Sequence, residues 1–453
     1  MERTLIGETP EKKDQAVLLK GFVKTRRDHG KLIFLDLYDR SALVQMVVDP
    51  KVSEEAYKVA SELRPQYTVE VTGKVNQRPE RNINKNLLTG DVEISVEKIS
   101  IISKAETLPF DVDTKELNLE LPTLLDYRSL TLRHPKVKSI FKVQAEILEG
   151  FRKAAKGIDC TEIVVPEIAA SSTEGGADVF KVDYYGHKAF MTQSPQLYKQ
   201  MLVPVFERVF TIAHAYRAEP SVTTYHLSVA TQMDCEIGFV DFEDLLNLLE
   251  KVGIETVKYA EESCQDIFKE YNLSAVSFGK IPRLTLRGAQ EIIFKEYGRD
   301  VRKEKDLSRQ DEEDICKWAL KKHGSDFVTI THFPTAKRAF YTMPDPKDPE
   351  YSLSYDLLFR GLEVLSGSQR IHDYDKLVQV IKDRGMDPES FKMYLQAFKY
   401  GMPPEGGFSF GLERITMHLL GLKNIREASL FPRDMERIDE RFSSVSKKDK
   451  KTK

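Results

Sequence analysis

Residues 193–219 read QSPQLYKQMLVPVFERVFTIAHAYRAE. A helix-like segment carries Lys199, an apolar run follows, and Arg217 stands at the end of a predicted strand. Both cations have amide or acidic neighbours, such as Gln196 and Glu219. Two cations flanked by hydrogen-bonding side chains form a cradle for a substrate that carries several negative charges. The rest of the chain decides which substrate that is.

Downstream, the loop AEPSVTTYHLS leads from Arg217 into a second strand, VATQMDCEIGFV, so the arginine is directed towards whatever the loop covers. Residues 241–271 are strongly periodic at helical spacing (Leu245, Leu246, Leu249, Val252, Val257). Residues 273–330 mix short helices with charged turns, give no chemical signal and read as an insertion. β character returns at FVTITHFP, SYDLLFRGLEVLSGSQRIHD and GGFSFGLERITMHLLGL. Long βα alternation is absent, so the order predicts an α+β domain with an antiparallel sheet flanked by helices.

Upstream, residues 136–156 have apolar residues at helical spacing and stop at Gly157. A strand EIVVPEI follows. Proline is tolerated in a strand only at an edge or bulge, so Pro166 is expected where this strand leaves its sheet, at an edge a second subunit could close. The polar, glycine-bearing loop SSTEGGADVF (171–180) is a candidate lid, and VDYYGHKAFM reads as a hairpin.

Residues 17–104 alternate short β-rich runs with turns: VLLKGFVKTRR, KLIFLDLYD, ALVQMVVD, YTVEVTGKV and DVEISVEKISIIS. Five strands with one helical interlude at 52–63 fit a small Greek-key barrel of the OB type, assigned to residues 1–104. Such barrels bind single-stranded nucleic acid by stacking bases on aromatic side chains beside basic residues. Here Phe34 lies on a strand, Arg26, Arg27 and His29 on the turn before it, and Gln45 on the next strand. A core Phe beside a solvated basic turn is the other reading. Residues 105–135, rich in acid and proline, read as a linker. A second, larger domain is expected over 136–442, and the charged tail 443–453 is expected to be disordered.

With 453 residues the chain suits one small and one large domain. A net charge of −3 means that any nucleic-acid partner is met by local basic patches, since the whole-molecule field does not attract it. The four cysteines are scattered, without the spacing of a zinc or redox pair. No stretch approaches the ~20 apolar residues of a membrane span, and a reducing, cytoplasmic compartment is expected.

Three segments taken together carry a family resemblance: the proline strand at Pro166, YRAE with its loop and strand, and GGFSFGLERITMHLLGLKNIREASLFPRD. They resemble motifs 1, 2 and 3 of class II aminoacyl-tRNA synthetases. With the N-terminal barrel, the likeness covers residues 17–434 and is to the aspartyl, asparaginyl and lysyl subgroup. Within it, QSPQLYKQ is similar to the aspartyl enzymes, whose lysine meets the substrate side-chain carboxylate. An ammonium rewards a carboxylate and leaves a neutral amide poorly compensated for desolvation.

The resemblance implies roles residue by residue. Lys199 and Arg370 would hold the aspartate carboxylate, Asp234 and Gln196 the α-ammonium, and Glu174 would close the lid. Arg217 would bridge the ATP α-phosphate and the attacking carboxylate. His226 and Arg414 would meet the γ-phosphate, and Glu219 the adenine or the tRNA end. Glu363 and Ser366 match magnesium ligands, a donor set that suits Mg²⁺ once phosphate oxygens and water complete it. In the barrel, Arg27, Phe34 and Gln45 match residues that hold the middle anticodon base, shared by tRNA-Asp and tRNA-Asn. His29 resembles enzymes that charge both tRNAs.

Two departures sit beside the nucleotide. Where the family commonly has glutamate and then an aromatic under adenine, this chain has Val229 and Ala230, and Tyr225 stands where arginine is common. The reaction implied is activation of L-aspartate by ATP and transfer to tRNA-Asp, and also to tRNA-Asn, by a twofold homodimer. The alternatives are an asparaginyl-tRNA synthetase, which Lys199 disfavours, and a catalytically silent tRNA-binding relative, which the retained Arg217, Glu363, Arg370 and Arg414 disfavour.

Overall fold

Alternation of buried and outward residues decides the N-terminal unit of this computed structural model, which describes residues 1–170, 179–220 and 223–442. In β2 (Leu32–Tyr38) and β3 (Leu43–Val48) every second side chain is buried, as the period of a half-buried strand demands. β1 (Ala16–His29), β4 (Thr68–Gln77) and β5 (Val92–Ser103) complete a closed barrel in the order β1-β2-β3-β5-β4. Helix α1 (Glu54–Glu62), capped by the Ser53 side chain on Ala56 N, packs Ala56 and Ala60 into the barrel core. Arg26, Arg27 and His29 are not on a turn, as expected above. β1 runs through them, and the reversal falls at Gly30 and Lys31.

The two compact units are Met1–Lys115 and Glu116–Lys453. The stretch 116–135, read as linker, carries α2 (Leu121–Asp126) and α3 (Arg128–Thr131) within the second unit. Arg128, 3% exposed, donates to the carbonyls of Glu427, Ser429 and Leu430. Burial, partly offset by Glu427, pushes its guanidinium down to about 10. Low periodicity hid these helices, because short helices held by tertiary contacts need no amphipathic repeat.

Then follow α4 (Pro135–Lys156), β6 (Thr161–Glu162), β7 (Ile168–Ala169) and the hairpin of β8 (Lys181–Tyr184) and β9 (His187–Met191). The hairpin turns at Tyr185 and Gly186, both with positive φ, as a two-residue loop of the primed type requires. No single strand passes through Pro166. β6 runs parallel to β10 and β7 pairs β9 in a separate three-stranded sheet, so the proline lies where the chain changes sheets.

α5 (Gln196–Met201) and α6 (Val203–Phe206) lead to β10 (Arg208–Tyr216), β11 (Val229–Gly238), α7 (Phe242–Ser263) and α8 (Gln265–Glu270). Next come β12 (Arg283–Thr285), α9 (Leu286–Tyr297), α10 (Arg309–His323) and β13 (Phe327–Thr331). The chain ends in β14 (Ser354–Phe359), β15 (Leu362–Gln369), α11 (Tyr374–Asp383), α12 (Lys392–Lys399), β16 (Glu405–Gly411) and α13 (Leu412–Leu420).

Eight strands form one sheet in the order β12-β13-β14-β15-β16-β11-β10-β6, antiparallel except for the outermost pair at each edge. The stretch read as an insertion is therefore part of the main fold, since it supplies β12 and β13. Helices α4 and α7 cover one face, packing Val143, Ile147, Phe151, Leu245, Leu249 and Val252 against Phe210, Phe408 and Phe410. Fully burying each such side chain is worth about 1.5–3 kcal/mol, which makes this face the anchor of the domain. The other face carries the polar residues. Among the described residues no helix is long and apolar enough to cross a membrane. Glu174 and the tail 443–453 lie outside the described residues.

Candidate active site

β11 sorts its side chains by parity. Met233, Cys235 and Ile237 enter the apolar core, so Gln232, Asp234 and Glu236 must face the opposite side. Pairing aligns a polar rung across four strands: Asp234 is opposite Ser409, Ser409 opposite Ser366, and Ser366 opposite Asp356. Lys199 on α5 and Arg370, just after β15, reach the same region.

Lys199 is not a free cation. Its Nζ lies 2.6 Å from Asp234 Oδ1 and 3.1 Å from Glu236 Oε2, and it is 1% exposed. Burial works against its charge, but Asp234 and Glu236 outweigh it and raise its pKa above the ordinary lysine value. Arg370 forks onto the same Glu236, with Nε 2.8 Å from Oε1 and Nη2 3.3 Å from Oε2. It also donates to the Gly407 carbonyl at 3.0 Å and to Gln196 Oε1 at 3.4 Å. Asp234 accepts from Ser409 Oγ at 3.0 Å. Sequence reasoning named Lys199, Arg370, Asp234 and Gln196 but missed Glu236, the anion that joins the two cations. The signal was present as two acids two residues apart in an apolar strand.

Lys199, Arg370, Asp234 and Gln196 line a cavity of about 390 Å³ together with Ser194, Gln232 and Thr342, with Glu236 buried behind them. A second cavity of about 200 Å³ is lined by Glu219, Tyr225, His226, Ala230 and Arg414. The two share Arg217, Gln232, Glu363, Ser366 and Ser409, so they adjoin along one wall. Ala230 faces the second cavity, so a small methyl stands on this wall. Arg217 makes no ion pair among the described residues, and its charge lowers the pKa of Glu363. His226 Nδ1 is hydrogen-bonded to Thr223 Oγ1.

Glu363 faces several charges. Its Oε2 is 3.4 Å from Arg414 Nη1, which also donates to the Glu363 carbonyl at 3.0 Å. Burial and then the Asp356 anion raise its pKa above the usual carboxylate range, against Arg414, Arg338 and Arg217. Asp356 Oδ2 accepts from Arg338 Nη2 at 2.6 Å, while Oδ1 is buried without a hydrogen-bond donor. Arg338 also donates to Ser366 Oγ at 3.1 Å. Asp356 and Arg338 were likewise missed, because the pairing of β14 with β15 brings Asp356 to Ser366 and the turn at 335–338 brings Arg338 there.

No group of three or more His, Cys, Asp or Glu able to hold a metal occurs among the described residues. Mg²⁺ keeps water and phosphate oxygens and takes only one or two carboxylates. Glu363, Ser366 and the unpartnered Asp356 oxygen match such a partial donor set.

On the barrel, Arg27 pairs with Phe34 across β1 and β2, and Asp36 with Gln45 across β2 and β3. Arg27 Nη2 donates to Asp36 Oδ1 at 3.0 Å, and Gln45 Nε2 to Glu93 Oε2 at 3.3 Å. His29 meets the Phe34 ring edge-on at a centroid distance of 5.6 Å. All four residues therefore share one face of three adjacent strands.

The family model of class II tRNA synthetases (D, K and N) matches residues 120–435, and that of the OB-fold nucleic acid binding domain matches residues 17–102. An aspartate–tRNA(Asp/Asn) ligase of Deinococcus radiodurans is 40% identical, over 97% of this chain and 99% of its own. An aspartate–tRNA(Asp) ligase of Pyrococcus abyssi is 37% identical over 95% and 97%. Among solved structures, asparaginyl-tRNA synthetase from Pyrococcus horikoshii, complexed with asparaginyl-adenylate, superposes with a TM-score of 0.88 at 30% identity, covering 97% of this chain and 99% of that one. Aspartyl-tRNA synthetase from Entamoeba histolytica gives 0.84 at 29%, covering 97% and 93%. The likeness runs over both units and nearly the full length, and the chain belongs to the class II aminoacyl-tRNA synthetases of the aspartyl, asparaginyl and lysyl group.

Proposed function

We propose that this protein is an aspartate–tRNA ligase that activates L-aspartate with ATP and transfers it to the 3′ end of tRNA-Asp and of tRNA-Asn. One observation carries the choice of amino acid: two buried cations, Lys199 and Arg370, joined by Glu236, line the smaller-substrate cavity. A carboxylate entering there gains two charge-assisted partners. An asparagine amide would displace water from the same cations without neutralising them, so discrimination of at least about a hundredfold is expected. ATP–pyrophosphate exchange with aspartate and asparagine side by side tests this.

The α-ammonium is assigned to the acceptors Asp234 and Gln196 Oε1, and Gln196 Nε2, a donor buried without a partner, is free to orient the amino acid through a carboxylate oxygen. Asp234 then serves Lys199 and substrate together, which its two oxygens allow. Glu174 is assigned to closure over the bound amino acid. Arg217, on the wall common to both cavities, is assigned to the α-phosphate and the attacking carboxylate. The carboxylate oxygen attacks the α-phosphorus in line and pyrophosphate leaves. The terminal ribose hydroxyl of the tRNA then attacks the acyl carbon and AMP leaves. Proton transfer contributes little to the first step, so positioning and charge neutralisation carry it.

His226 and Arg414 are assigned to the γ-phosphate, and Glu219 to adenine or the tRNA end. Glu363, Ser366 and Asp356 would hold Mg²⁺, which would draw the phosphate oxygens together and neutralise charge on the leaving group. With ATP bound, Arg414 would pair with phosphate in place of Glu363, leaving Glu363 available as one of the residues that would hold the metal. Ala230 offers no ring to adenine, so the nucleotide depends more on these charged groups.

Arg27, Phe34 and Gln45 are assigned to the anticodon, with His29 against Phe34 favouring acceptance of both tRNAs. Aspartylation of a tRNA-Asn transcript about a thousandfold below tRNA-Asp would refute this. A twofold homodimer is proposed at the β6 edge, where Val164 is 97% exposed. Elution as a monomer at micromolar concentration would count against it. The four cysteines are free and buried, which fits a cytoplasmic protein.

A further inference from the structure

Behind the two substrate cations lies an acid that no ion pair accounts for. Glu405 opens β16 and is fully buried. Its Oε1 accepts from Gln200 Nε2 at 2.7 Å, and Gln200 Oε1 accepts in turn from the Tyr394 hydroxyl at 3.1 Å. Its Oε2 is buried and receives no donor. Among the described residues no lysine, arginine or histidine forms a salt bridge with it.

Its neighbour is Glu236. In the pairing of β11 with β16, Glu236 is opposite Gly407 and Gly238 opposite Glu405, which sets the two acids diagonally on one face. Gly407 leaves room for them, because a Cβ there would come within 2.3 Å of Glu236 Oε2. Glu236 and Glu405 act on each other electrostatically across this diagonal, a spacing within reach of side chains this long. Ionised carboxylates only accept, so a hydrogen bond between the two requires a proton.

We propose that Glu405 is a neutral carboxylic acid that donates its proton to Glu236, and so holds Glu236 as the single anion fixing Lys199 and Arg370 for the substrate carboxylate. The location of the proton follows from the neighbours. Glu236 faces both cations, which hold its pKa low against burial, whereas burial and then the Glu236 anion push Glu405 well above the carboxylate range. The groups packed around Glu405 are Glu236, Arg370, Gln200 and Tyr394, and Arg370 already forks onto Glu236. With Glu405 neutral, Lys199 and Arg370 balance Asp234 and Glu236. An ionised Glu405 would leave one net negative charge in the wall of a site that takes an anion. Glu405 is thus a positioning residue that acts through Glu236.

The inference rests on the aspartate reading for its purpose but not for its chemistry, and two measurements separate them. Infrared difference spectra of the substrate-free protein at neutral pH, wild type minus Glu405→Gln, are expected to show a carboxylic-acid carbonyl band that shifts in D₂O. Its absence overturns the proposal. In pyrophosphate exchange, Glu405→Ala is expected to raise KM for aspartate about tenfold or more with a smaller change in kcat, and Glu405→Gln to restore KM to within about threefold. An amide reproduces the donor and acceptor of the neutral acid, so a Glu405→Gln protein that does not fold, or that matches Glu405→Ala, also overturns it. Wild-type protein that shows the band but does not activate aspartate would instead refute the functional reading.

Discussion

Glu236 Oε2 lies 3.1 Å from Lys199 Nζ, and both side chains are at most 1% exposed. The lysine that selects the substrate is thus held by the protein before substrate arrives. Replacing it by methionine, which keeps the volume, leaves Asp234 and Glu236 as buried acids with one cation fewer. Lys199→Met is expected to lower kcat/KM for aspartate by about a hundredfold or more, without gain for asparagine, and to destabilise the fold by roughly 3–5 kcal/mol. Exchange kinetics and denaturant unfolding check the two effects.

Glu363 and Arg414 restrain each other in the absence of nucleotide. Glu363→Gln is expected to lower kcat of aspartate activation by about 10²–10³ and to raise the Mg²⁺ concentration needed for half-maximal rate. Titration of the exchange rate with magnesium would show it. An unchanged magnesium dependence would remove Glu363 from the metal site.

On α10, Glu312 makes stability depend on pH. Burial, and then the Glu363 anion, push its pKa up to about 8 from the ordinary value of 4.5. Below the lower value both folded and unfolded states hold the proton. As pH rises towards 8 the unfolded chain releases it first, so stability falls across this window. Glu312→Gln is expected to be as stable as wild type near the lower value and more stable by an amount on the order of a few kcal/mol above 8. Chemical denaturation at the two ends of the window gives the comparison.

Phe34 presents a half-buried ring on the barrel beside Arg27 and His29. Phe34→Ala is expected to weaken tRNA binding by about 1–3 kcal/mol, seen as a higher KM for tRNA in the charging reaction. Pyrophosphate exchange, which needs no tRNA, is the reference.

Much of this architecture was legible because periodicity carries it. The five barrel strands, the helix at 136–156 and the long helix beginning at 241 each bury a regular set of side chains, and the spacing announces that set. Two features escaped. The strand β12 is short, and what makes it part of the main sheet is pairing with β13, which no local pattern encodes. Likewise Arg128 looked like one more charge in a linker, whereas three carbonyls more than 290 residues away hold it.

The site divides in the same way. Lys199, Asp234, Arg370 and Arg414 were found by resemblance. Glu236, which holds Lys199 and Arg370, and the Arg338–Asp356 pair at Ser366 come from strand register and a distant turn. Lys199 was read as a cation awaiting an anion. The fold shows it already paired, because a bare ammonium at 1% exposure would be too costly to bury.

The central claim is that paired, buried cations choose aspartate. ATP–pyrophosphate exchange on the purified protein, with aspartate and asparagine in parallel, tests it most directly. Exchange with aspartate at least about a hundredfold more efficient than with asparagine is the predicted result. Equal exchange with both, or exchange with asparagine alone, would contradict it.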